Sequence, residues 1–181
     1  MSLTQLRSRG ILDGTITAGD FASGVGGKVL QVIQTVKTDI FSTSTTSFTD
    51  ITGLSVSITP SSASNKILVL MDVKLGTASN VGNQVRLMRS STAIYIGDAD
   101  STRQRSTYTT GDDPNDQFIL QGVGIFLDSP NTTSATTYKV QMLSEPTPNT
   151  GTVHLNRSGE DPNTTDGGRT ASSITVMEIA V

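Results

Sequence analysis

The chain has no cysteine, no tryptophan and a single histidine among its 181 residues. Without cysteine there are no disulfides and no thiolate metal sites, although the compartment stays open. One histidine and no HExxH pattern leave no ligand set for transition-metal catalysis. A Ser–His–Asp arrangement can be drawn from His154 to any of many serines and aspartates, and that abundance empties the match of meaning. The residue lies between Val153 and Leu155 and reads as an ordinary exposed strand histidine. Aromatic residues make up only 4% of the chain, so a glycoside hydrolase would lack its usual sugar platforms. No apolar run is long enough to span a bilayer, and no membrane insertion is expected. Residues 1–20 carry Arg7, Arg9, Asp13 and Asp20 with no apolar core, unlike a secretory signal. Lys plus Arg number 13 against 16 Asp plus Glu, a formal charge of -3. With no basic stripe, no nucleic-acid partner is expected. These absences point away from an enzyme and imply no cofactor.

What the chain does have is hydroxyls: 22 Ser and 28 Thr. Threonine packs well on pleated surfaces, and both residues satisfy turn backbones locally. Short apolar-alternating segments recur between turn signals. Val29 to Lys37 reads as a first strand, and Leu54, Val56 and Ile58 alternate with polar residues up to Pro60. Lys66 to Leu75 places Ile67, Val69, Met71 and Val73 on one face and Leu68 and Leu70 on the other. A strand apolar on both faces sits centrally or has its outer face covered by a partner. Further strands fall around Val85–Leu87, Ala93–Ile96, Asp116–Leu127, Tyr138–Met142, Val153–Leu155 and Ile174–Ile179. About eight or nine strands without a useful helix predict an all-β fold, a jelly-roll-like two-sheet antiparallel sandwich over residues 28–181. Residues 1–27 form a short N-terminal arm whose Ile11, Leu12, Ile16 and Phe21 need another surface to cover them. Apolar residues reach only 34%, a lean core that neighbouring subunits can complete.

The polar stretches at 98–116 and 158–168 are the longest excursions. Asp98, Asp100, Asp112, Asp113, Asn115 and Asp116 carry enough oxygen for calcium, but without EF-hand spacing the same residues describe a turn. Glu160, Asp161 and Asp166 share that ambiguity. Loops on a rigid sandwich are the usual recognition surface. Asp100, Arg103, Arg105 and Tyr108 are therefore the candidate recognition residues, with Tyr108 the aromatic that could stack on a sugar. Arg86 and Arg89 fall on opposite strand faces and cannot share a phosphate. Three Asn-x-Ser/Thr matches, at Asn131, Asn156 and Asn163, are expected by chance in so hydroxyl-rich a chain.

The stretches Gly27-Lys28-Val29-Leu30-Gln31-Val32, Phe48-Thr49-Asp50-Ile51-Thr52-Gly53-Leu54-Ser55-Val56-Ser57-Ile58-Thr59-Pro60 and Ser64-Asn65-Lys66-Ile67-Leu68-Val69 resemble a β-sandwich module of tailed bacteriophages. It occurs in tail-fibre and other virion structural proteins, notably of marine and cyanobacterial phages. Val85-Arg86-Leu87-Met88-Arg89, the Asp128-Ser129-Pro130 turn before Tyr138, and Ser173-Ile174-Thr175-Val176-Met177-Glu178-Ile179 agree with it. The resemblance implies a virion location and a tail-fibre or receptor-binding role in host attachment, commonly as a homotrimer. The partners it implies are other virion proteins, a tail adaptor or the major capsid protein, with host surface polysaccharide as the receptor. The short arm departs from the longer shafts of such fibres. That departure suggests a second reading, a capsid decoration (cement) protein whose arm lies on the head shell.

Overall fold

The structure, a computed structural model, describes residues 28–77, 80–111, 117–146, 151–163 and 168–181. The proposed arm, with Ile11, Leu12, Ile16 and Phe21, lies outside them, as do Asp112, Asp113, Asn115, Asp116 and Asp166. Eleven strands are present among the described residues: β1 (Val29–Lys37), β2 (Phe41–Thr43), β3 (Thr49–Ile58), β4 (Lys66–Gly76), β5 (Asn83–Arg89), β6 (Thr92–Ile94), β7 (Tyr108–Thr109), β8 (Leu120–Asp128), β9 (Thr136–Ser144), β10 (Val153–Leu155) and β11 (Ser172–Ile179). The count exceeds the expected eight or nine because β2 lies in the hydroxyl-rich connection after β1, and β7 in the stretch read as one long loop. Neither carries an apolar alternation long enough to announce itself; each is two or three residues held by a neighbour's backbone.

All pairings are antiparallel. The first sheet runs β8-β4-β11-β1, with β10 and β2 extending it beside the end of β4. The second runs β3-β9-β5, and β5 then pairs both β6 and β7. The chain thus crosses repeatedly between the sheets, at β2–β3, β3–β4, β4–β5, β7–β8, β8–β9 and β9–β10, in the wrapped manner of a jelly roll. Alternation within each strand fills the space between the sheets. Ile67, Val69, Met71 and Val73 of β4 face Val85 and Leu87 of β5 and Val140 and Met142 of β9, all essentially inaccessible to solvent.

Polar groups close one end of this core, in the row that Gln31, Glu178, Ile67 and Asp128 make across the first sheet. Arg89 of the second sheet reaches Asp128 of the first, with Nη1 2.8 Å from Oδ1. The buried Tyr138 hydroxyl donates to Asp128 Oδ2 at 2.7 Å. Burial and that bond to a carboxylate push the phenol well above its ordinary range. At the other side Glu178, fully buried, accepts from Gln31 Nε2, from Asn65 Nδ2 and from the backbone and hydroxyl of Ser61. Burial alone would raise its pKa, but these donors overcome it and hold the carboxyl down at about 2. The edge strands β1 and β3 are laced together by Thr35 Oγ1 donating to the Ser55 carbonyl and Gln31 Nε2 to that of Thr59. β3 itself carries a bulge between Asp50 and Ser55, where Gly53 has φ +82°.

Candidate functional site

The two outer faces of the sandwich differ. On the second sheet, Lys139 and Gln141 donate to Asp50, Arg86 donates to Gln141, and Ser57 bonds Thr137. The bond from Lys139 holds the Asp50 carboxyl below its ordinary value, against the desolvation that opposes it. The Arg86 guanidinium also lies 4.1 Å from the centre of the Phe48 ring. This face is a lattice of cross-strand polar pairs suited to water.

The first sheet is the reverse. Its register sets Val32, Met177, Leu68 and Leu127 in one row across β1, β11, β4 and β8, and all point away from the core. The next row is Gln34, Thr175, Leu70 and Ile125, and the third Val36, Ser173, Asp72 and Val123. Val32, Val36, Val123, Ile125 and Leu127 are each more than half exposed. Charge appears only at the rims, where Lys74 pairs with Asp72 beside Gln121 and Lys66 donates to Ser129. β4 is central, as expected of a strand apolar on two faces, and among the described residues no element lies over the outer side of Leu68 and Leu70.

The predicted recognition residues sit after β6. Asp100 and Arg103 come together, Nε to Oδ2 at 3.2 Å, and Arg105 Nε donates to the Gly97 carbonyl at 2.6 Å. Tyr108 goes elsewhere. It begins β7, and its half-buried ring packs toward Gly122 of β8, where any side chain would collide with it. Tyr95 stacks on Phe126 with ring centres 5.2 Å apart, and its ring also approaches Gly124. The glycines of β8 thus make room for aromatic rings from the 95–108 segment. Tyr108 thus commits one side of a half-buried ring to packing on β8.

Arg103 instead lines a cleft of about 470 Å³ with Gln84, Thr102, Thr109, Glu145 and Pro146. Glu145 follows β9. Its amide donates to the Gly82 carbonyl, and its Oε1 accepts from Gln84 Nε2 at 3.0 Å and Thr109 Oγ1 at 3.1 Å. Gln84 Oε1 is buried and accepts no hydrogen bond. Gln84 and Glu145 did not stand out in the sequence, because only the pairing of β5 with β9 makes them neighbours.

No protein-family model matches the chain, and no curated protein matches it. Among solved structures it is similar to the infectious bursal disease virus VP2 subviral particle, at 9% identity and TM-score 0.36 over 82% of this chain and 39% of that one. It is also similar to the structure of the infectious bursal disease virus Gx strain, at 12% identity and TM-score 0.39 over 83% and 37%. The chain spans less than two-fifths of the length of either. Likeness this slight carries no argument.

His154 departs from its expected exposure. It is buried between β2 and β4, with Nδ1 2.8 Å from Ser42 Oγ. Its β4 partner is Gly76, over which the backbone of Arg157 and Ser158 passes closely enough to exclude any side chain. Burial, with the positive charge of Arg157, lowers the imidazole pKa to about 4. Asn156 makes that crossing possible. Its φ is +66°, its side chain is fully buried, Nδ2 donates to the carbonyls of Lys37 and Asp39, and Oδ1 accepts from Ser172. A side chain so committed cannot be glycosylated in the folded protein. Among the described residues no group of three or more His, Asp or Glu could hold a metal ion, and no helix is long and apolar enough to cross a membrane.

Proposed function

We propose that this chain is a non-enzymatic structural protein of a virus particle that works by associating with further copies of itself. One observation carries the reading: the apolar outer face of the first sheet, set against the polar outer face of the second. Four strands about 4.8 Å apart and the six residues of about 3.4 Å that the three rows span give roughly 400 Å². That is within the range of the largest patch a soluble monomer leaves uncovered and about half of the ~800 Å² per partner of a stable interface. With ionic groups only at its rims, the face is neutral and suits a second copy of itself. Three-fold closure and the virion setting come from the resemblance to phage virion modules.

Sedimentation of the wild-type protein should give a trimer, and the Ile125→Asp/Leu127→Asp double variant a folded monomer. A wild-type chain that stays monomeric at micromolar concentration overturns the assembly reading. Within the particle, the broad flat face favours decoration of the head shell, while the loops of the 98–111 region favour host attachment. Copy number separates them: hundreds per particle for a decoration protein, tens or fewer for a fibre.

A further inference from the structure

We infer that residues 11–21 of one copy lie across the apolar outer face of the first sheet of a neighbouring copy, so that copies are joined by exchanged arms. The inference rests on the self-association proposed above and names the segment that does the covering.

The area of the face is the first reason. It offers roughly 400 Å², about half of what each partner gives to a stable interface. Two bare faces laid together fall short of that standard. An arm that covers a face buries a similar area of its own. A copy that lends its arm and receives another therefore contributes both, about 800 Å² in all.

The position of β1 is the second reason. It is an edge strand of this same sheet, and the Lys28 carbonyl before it accepts from the Ala180 amide at 2.9 Å. Val29 and Leu30 are exposed there, so residues preceding Lys28 start from a corner of the apolar face. The backbone direction at Val29 leads off the end of its own sheet. A straight continuation meets a neighbour, and only a full reversal meets the parent face. Seven residues separate Phe21 from Val29, a reach of about 25 Å when extended.

The third reason is chemical match. Polar members of the face satisfy one another, Gln34 Nε2 donating to Thr175 Oγ1 at 2.8 Å, and that bond survives a cover. At the rim Lys66 bonds the Ser129 hydroxyl and, among the described residues, no carboxylate. The segment carries Ile11, Leu12, Ile16 and Phe21, and its only charges are Asp13 and Asp20, with none between them. It therefore has apolar residues for the face and carboxylates for the rim. Its extended length of about 35 Å exceeds the roughly 15 Å across four strands.

The test uses the full chain, which has no cysteine of its own, carrying a nitroxide on Thr15→Cys. Oligomers are assembled from this chain and a nitroxide-free, isotope-enriched one. Amides of Leu68, Leu70, Val123 and Ile125 in the enriched chain should lose about half their intensity or more, and recover when the nitroxide is reduced. Ile16→Asp/Phe21→Asp should keep the amide pattern of the sandwich and raise the half-dissociation concentration tenfold or more in sedimentation. Attenuation only when nitroxide and isotope share one chain puts the arm on its own sheet and overturns the inference. Attenuation elsewhere, or an Ile16→Asp/Phe21→Asp oligomer as tight as the parent, overturns it while self-association stands. A parent chain that sediments as a monomer overturns both.

Discussion

Two side chains do more for this fold than their polar character suggests. Asn156, in a left-handed turn, joins the loop after β1 and the start of β11 through its side-chain amide and the end of β4 through its backbone N–H. Asn156→Ala removes the donor to the Lys37 and Asp39 carbonyls and the acceptor of the Ser172 hydroxyl, which keeps its bond from the Lys74 amide. It should cost about 2 kcal/mol, read as a lower urea midpoint. His154 makes stability depend on pH. Its folded pKa of about 4 lies below the ordinary 6.5, so the unfolded chain binds the extra proton between those values. The stabilisation is complete above pH 6.5 and is lost as pH falls toward 4, by up to about 3 kcal/mol. Unfolding midpoints between pH 7 and 4 should fall in the parent and fall less in His154→Gln. Glu178 acts lower, its contribution present above about pH 4.5 and lost as pH falls toward 2.

At the scale of elements, closeness of backbones governs what substitutions are tolerated. Gly76→Ala places a methyl group into the Arg157 carbonyl, main chain that cannot rotate aside. It should destabilise by about 3 kcal/mol, whereas Gly97→Ala, with open space around it, should stay within about 0.5 kcal/mol by thermal melting. The long strands were legible in the sequence because alternation is a local property: β1 and the apolar faces of β4 and β8 follow from period two alone. The short strands β2 and β7 were not, since their pairing depends on strands far away in the chain. The same limit hid the cleft. Arg103 stood out as a charge in a polar stretch, but Glu145 reads as a residue before a proline until β5 and β9 are side by side. Burial of His154 was illegible for a related reason: it depends on a chain crossing that Gly76 and Asn156 permit jointly.

For the whole molecule, the two-sheet sandwich explains why a lean apolar composition suffices. β4 and β8 contribute to both surfaces of their sheet, one filling the interior and the other left outside. Interior closure is completed at one end by two polar clasps that flank Ile67, Arg89–Asp128–Tyr138 on one side and the donors around Glu178 on the other. The segment carrying Tyr95 and Tyr108 covers the glycine trough of β8, so the 98–111 region is presented from a packed base.

The uncovered face also makes the protein's heat resistance a function of how much of it is present. If copies bind one another only when folded, mass action adds stability as total protein rises, and dilution removes it. The melting temperature should climb with each tenfold increase in concentration for the parent chain. It should stay constant for Ile125→Asp/Leu127→Asp, and a parent melt that ignores concentration would mean the face is not an interface. Crowded assembly sites would then favour the finished oligomer, while stray copies remain the less durable form.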